Sequence, residues 1–199
     1  MPVSAMKLDI LCCAAGTAMA AAILTAAPAA AQPYPAKPVR MIIPFPPGGG
    51  NDIVARIIAA KVGESLGQHM VVDNWGGANG MIGMEAAAKA APDGYTLVVS
   101  TTGALAMNVS VYKKLNYDPV KDFAPVTTLA SFPNILVLHP SVPVKSVKDL
   151  IALAKAKPGQ LAYASAGNGT AGHLSGELFK MLAKVDLLHI PYKGSVPAL

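Results

Sequence analysis

Cysteine is what this sequence most lacks. Cys12 and Cys13 are the only two, and both lie within the first 31 residues. Beyond them the chain can form no disulfide, has no thiol nucleophile and offers no Cys-ligated metal site. Charge is also scarce: 14% of residues are Asp, Glu, Lys or Arg, and they are spread singly. No Lys/Arg run with interleaved aromatics forms a nucleic-acid surface, so no nucleic-acid partner is expected. The net charge of +5 gives a mild positive field that favours anionic solutes. His69, His139, His173 and His189 are spread over different elements, with no paired-ligand spacing, so no metal or cofactor is expected from them. No paired carboxylate is identifiable, and no catalytic residue is assigned.

Residues 1–31 read as a leader. Lys7 supplies the basic region, an uncharged Ala/Leu-rich run covers 10–25, and Ala26-Ala27-Pro28-Ala29-Ala30-Ala31 precedes Gln32. This is the layout of a secretory signal peptide cleaved near Ala31. The run is too short and too alanine-rich for a membrane span, which needs about twenty strongly apolar residues. The remaining stretch of about 165 residues can bury a core as one domain or one and a half.

From residue 38 onward, apolar runs alternate with helical patterns. Strands are expected over 39–43, 70–72 and 95–100, and helices over 53–66 and 81–90. Asn51 or Asp52 is expected to cap the first helix and Gly67 to end it. Two more strands are expected over 125–129 and 134–138, with a crossing into a second lobe near 131–133. There the pattern restarts. Ser146 caps a helix over 147–155, a strand covers 161–165, a helix 170–184 and a strand 187–190. The fold class is α/β, with parallel-rich sheets flanked by helices. The organisation expected is 1–31 leader, 32–130 first lobe and 131–199 second lobe. The last residues, 192–199, read as a loop and the first turn of another helix, so the second lobe is expected to be incomplete.

In parallel α/β sheets, ligands bind beyond the carboxyl ends of the strands. Two loops there are rich in glycine. The first holds Phe45, Pro47, Gly48, Gly49, Gly50, Asn51 and Asp52, and the second Ser165, Ala166, Gly167, Asn168, Gly169 and Thr170. Glycine lets backbone N–H groups turn toward a ligand, and a helix N-terminus adds unpaired donors and partial positive charge. The two loops can thus hold a carboxylate without arginine, or can be simple strand–helix turns. His173, just inside the second helix, can donate to a bound anion, and Thr101-Thr102, after the third strand, are expected to form a ligand-reading pair. Trp75 is expected to pack. The first loop lacks the Gly-Lys-Ser/Thr ending of a phosphate loop. Gly167-x-Gly169-x-x-Gly172 formally matches a dinucleotide fingerprint, which opens a nicotinamide-oxidoreductase alternative. That reading needs an acidic residue at the end of the next strand, whereas Asp186 precedes it.

Five motifs then stand in order: Pro44-Phe45-Pro46-Pro47-Gly48-Gly49-Gly50-x-Asp52, Ala91-Pro92-Asp93-Gly94-Tyr95-Thr96-Leu97, Tyr117-Asp118-Pro119-Val120-Lys121-Asp122-Phe123, Ser165-Ala166-Gly167-Asn168-Gly169-Thr170 and Pro191-Tyr192-Lys193-Gly194. Over residues 34–199 the chain resembles the Bug-type substrate-binding receptors of tripartite tricarboxylate transporters. The resemblance implies a two-lobed periplasmic binding protein, without catalysis or cofactor, that closes on a small carboxylate. It implies delivery to membrane permease subunits and a monomeric state; a role as sensor partner is the other use of such a receptor. In that family the two loops singled out above hold one ligand carboxylate, largely through backbone groups and waters. The chain departs from it at Asn74-Trp75-Gly76-Gly77-Ala78, where many members carry Asn-Arg-Pro-Gly-Ala, at His69, where proline is common, and in length, members being much longer.

Overall fold

The computed structural model describes residues 33–199, so the leader read over 1–31 lies outside the described residues. Lys37–Leu199 forms one compact unit. Its first sheet is parallel with strand order β2-β1-β3, built from β1 (Val39–Ile43), β2 (Met70–Asn74) and β3 (Thr96–Val98). Central β1 is apolar at almost every position because both its faces are covered. Met41 and Ile43 pack on Ala55 and Ala59 of α1 (Gly50–Leu66), small side chains that let the helix approach closely. On the other face Met84, from α2 (Met81–Ala88), joins Ala104, Tyr117 and Val98. Helix α1 ends where expected. Gly67 adopts a left-handed conformation, and Gln68 N–H bonds back to Gly63 O at 3.1 Å.

After β3 the chain enters a π-helical turn, Gly103–Met107, which runs into the single turn α3 (Asn108–Val111). The strands expected over 125–129 and 134–138 do not form. The residues have the β-branched content of strands, but sheet edges β2 and β3 pair only with β1, and β4 and β5 only with each other. An extended segment without a hydrogen-bonding neighbour is not a strand, whatever its propensity. Val126 and Ile135 consequently stay about four-fifths exposed, at 84% and 79%.

The second sheet is a parallel pair, β4 (Ala162–Ser165) and β5 (Leu188–Pro191), joined by the crossover helix α5 (Ala171–Ala183). Before it comes α4 (Val147–Ala156), where Ser146 Oγ accepts from Asp149 N–H at 3.1 Å, the cap expected from sequence. Among described residues no helix is long and apolar enough to cross a membrane.

Candidate functional site

The loop after β1 is organised by one buried carboxylate. Asp52 is 3% exposed. It accepts from Gly48 N–H at 2.9 Å, from Arg56 Nε at 3.0 Å and from Asn74 Nδ2 at 2.9 Å. The Arg56 guanidinium, with the Gly48 amide and the Asn74 side chain, holds the Asp52 carboxyl at about 2 against the opposing effect of burial. Asn74 also donates to Phe45 O at 3.1 Å and accepts from Arg56 Nη2 at 2.9 Å. Asp52 is therefore ionised, neutralised and saturated by its own neighbours.

That arrangement leaves the start of α1 open. Neither Asn51 nor Asp52 caps it, contrary to expectation: extended Gly49 is the N-cap, and among the described residues there is no side-chain cap hydrogen bond. The reason is geometric, because Asp52 lies inside the helix and turns back to Gly48 outside it. The Gly50, Asn51 and Asp52 amides have no helical acceptor, and the helix dipole adds partial positive charge there. Phe45 is half-buried against the core, while Pro47 is exposed at the loop tip.

The loop after β4 is more tightly self-bonded. Thr170 Oγ1 donates to Gly167 O at 2.7 Å and caps α5 by accepting from His173 N–H. Ser165 Oγ accepts from Gly167 N–H at 3.2 Å and bonds His189 Nε2 at 2.7 Å. Ala166 O accepts from Gly194 N–H at 3.1 Å, and Asn168 is exposed at the tip. Gly167 and Gly169 take φ of 131° and 77°, which explains glycine at both. The His173 Nδ1 accepts from Gly169 N–H at 3.1 Å, so in the neutral ring Nε2 is the nitrogen left to donate.

The histidines expected to stay apart do not all do so. The rings of His173 and His189 stack with centroids 4.1 Å apart, and the Tyr163 ring also stacks on His189, at 4.8 Å. Strand register opposes Tyr163 to His189, and α5 crosses over them. Burial, then the nearby His173, pushes the His189 imidazole below its ordinary 6.5.

The carboxyl ends of the two sheets meet. A Cβ built on Gly103 would lie 3.4 Å from Gly169 O, and one built on Gly49 would lie 3.5 Å from Ser195 Oγ. Thr101 and Thr102 precede Gly103: Thr101 Oγ1 accepts from Ala104 N–H at 3.4 Å, and Thr102 is exposed. Beneath them Asn79 donates to Asn108 Oδ1 at 2.7 Å, and Asn108 donates to Tyr117 Oη at 3.2 Å. Asn79 Oδ1 is buried and has no partner among the described residues. Sequence reasoning missed Asn74, Arg56, Asn79 and Asn108, since contacts across 18–29 positions have no local signature.

Other arrangements lie elsewhere. Asp186 sits at the amino end of β5, where Gly159 N–H donates to its carbonyl, far along the strand from the 166–169 loop. Trp75 lies against Arg40, whose guanidinium carbon is 5.1 Å from the ring and whose Nη2 pairs with Asp73. Gly63-x-Ser65-x-Gly67 matches a nucleophile pattern formally, but it occupies the end of α1 and not the strand-to-helix elbow such a serine needs.

The tripartite tricarboxylate transporter family receptor (TctC) profile matches residues 54–199. The chain is 45% identical over 175 residues to protein BugT of Bordetella pertussis, covering 87% of this chain and 54% of that protein. An R. palustris protein solved with adipate superposes with a TM-score of 0.81 at 44% identity, over 83% of this chain and 55% of the other. MatC from Rhodopseudomonas palustris with bound malate gives 0.76 at 36% identity, over 83% and 56%. The chain thus spans about half the length of the relatives it matches. Its parallel sheets flanked by helices are those of the periplasmic binding proteins, and the chain belongs to the tripartite tricarboxylate transporter receptor family.

Proposed function

We propose that this chain captures a small carboxylate between residues 32–130 and 131–199, as an exported receptor that delivers its ligand to membrane permease subunits and performs no chemistry on it. One observation carries the reading: the first turn of α1 is uncapped, while the acidic group beside it, Asp52, is already neutralised by Arg56. A carboxylate at Gly50 and Asn51 meets N–H groups that have no helical acceptor, beside an Asp52 already paired with Arg56. Each such contact contributes about 0.3–1 kcal/mol when exposed, and up to about 2 when partly buried. The loop from Ser165 to Thr170, with His173 Nε2 and the pair Thr101-Thr102, supplies the opposite wall, so closure desolvates the anion and strengthens each bond. The adipate and malate in related structures are ligands of the class such a site takes. The reading includes export through the leader expected over 1–31, with cleavage near Ala31 and residence in the periplasm, and a monomeric receptor.

A thermal-shift screen against adipate, malate and other small carboxylates, with NAD as control, tests this. A ligand at a hundredfold excess over Kd adds about 2.7 kcal/mol of stability. A carboxylate-specific rise in midpoint is expected; a rise with NAD alone would favour the dinucleotide alternative.

A further inference from the structure

The conformation of the first loop decides where its N–H groups point. We infer that Asn74, the last residue of β2, is the positioning residue that holds this loop in its anion-binding shape. The inference rests on the carboxylate reading for its functional meaning, although its structural content can be tested without any ligand.

All of the Asn74 side chain is committed to this task. Its Nδ2 donates both to Phe45 O, at the loop's beginning, and to Asp52 Oδ1, at its end. Its Oδ1 accepts from Arg56 Nη2, which fixes the guanidinium that neutralises Asp52. Asp52 in turn accepts from Gly48 N–H. The amide therefore spans the two ends of the 45–52 loop from a neighbouring strand, and β2 itself is fixed to β1 by the pairing of Ile43 with Asn74. No other side chain among the described residues is hydrogen-bonded to both Phe45 and Asp52.

An amide is required here for a chemical reason. Asp52 needs a donor, Phe45 O needs a donor and Arg56 needs an acceptor; only a group with both functions in one plane serves all three. A carboxylate of the same shape would accept from Arg56 but would face Asp52 as a like charge. The charged groups facing the position are Asp52 and Arg56 from α1. On β1 the nearest cation, Arg40, is engaged by Asp73. With two carboxylates against one guanidinium, the pair is ionised and mutually repelling at pH 7 and takes up a shared proton on acidification, above the ordinary carboxylate range. Once bound, it restores an O–H donor where the amide N–H had been.

The substitutions Asn74→Asp and Asn74→Ala separate positioning from mere packing. Backbone amide resonances of Gly48, Gly49 and Gly50 are followed in the full chain from pH 7 to about pH 4, in the range where a shared carboxyl proton titrates. Both variants are expected to shift these resonances at pH 7, and only N74D to return toward the unsubstituted pattern on acidification. If N74D unfolds at pH 7, refolding at acid pH of N74D and not of N74A is the same result. Unchanged resonances in N74D at pH 7, or identical titrations of the two variants, would overturn the inference. In parallel, adipate is the binding probe: N74D is expected to weaken it by on the order of tenfold at pH 7, with recovery at low pH. Failure of the unsubstituted chain to bind adipate counts against the receptor reading for that acid, while the resonances still decide the role of Asn74.

Discussion

Ser165 Oγ and His189 Nε2 are joined by a 2.7 Å hydrogen bond that ties the second glycine loop to the neighbouring strand. The ring of His189 is also stacked on Tyr163 and His173, so a charge on it would be poorly solvated and would face a second imidazole. Its proton affinity is accordingly depressed below 6.5. The unfolded chain then binds this proton more readily than the folded one. Stability contributed by neutral His189 is complete above 6.5 and declines as the pH falls through it. Urea unfolding between pH 8 and pH 5 should show this decline, and His189→Gln should flatten it. A profile equally steep in the variant would remove His189 from the account.

Asp52 has the opposite sign. Its folded value of about 2 lies below the ordinary 3.8, so the stability it contributes is present above 3.8 and is lost as the pH falls toward 2. The difference corresponds to about 2 kcal/mol near neutrality. Asp52→Asn should lose about that much at pH 7, and the gap to the unsubstituted protein should close between pH 4 and pH 2. Denaturation curves of both at a series of acid pH values provide the check.

Gly83 in α2 lies under the loops that follow β1 and β2. A Cβ there would sit 2.7 Å from Pro44 Cα and 3.0 Å from Trp75 O, which are backbone atoms with nowhere to move. Gly83→Ala should therefore destabilise by about 1–3 kcal/mol despite the gain of about 1 kcal/mol in helix propensity. Gly172→Ala is the contrast, since its Cβ would meet only Ser165 Cβ, at 4.0 Å. It should be neutral or stabilising. Thermal midpoints of the two variants distinguish steric conflict from a general intolerance of alanine.

The contrast between these positions shows what was legible in sequence. Strands β1, β2, β4 and β5 and helices α1, α4 and α5 were readable because apolar periodicity and glycine or serine boundaries are local properties. The carboxyl-end loops were readable from the same alternation, because α/β topology puts glycine turns there. The residues around Ile135 misled, since β-branched content specifies that a segment can be a strand but not that a partner lies beside it. The role of Asp52 was half-read: a helix-start acid is easily taken for a cap, and only the meeting of β2 with the β1 loop brings Asn74 to its carboxylate. The stack of His173 on His189 was invisible for the same reason, because it depends on strand register and the path of α5.

Binding of a carboxylate at the uncapped start of α1 is tested most directly by titrating adipate and malate into the isotopically labelled chain and following its backbone amide resonances. Saturable, concerted shifts are expected at Gly49, Gly50 and Asn51, accompanied by shifts at Asn168 and at the His173 ring. Shifts confined to other parts of the chain, or none with any small carboxylate, would contradict such a site.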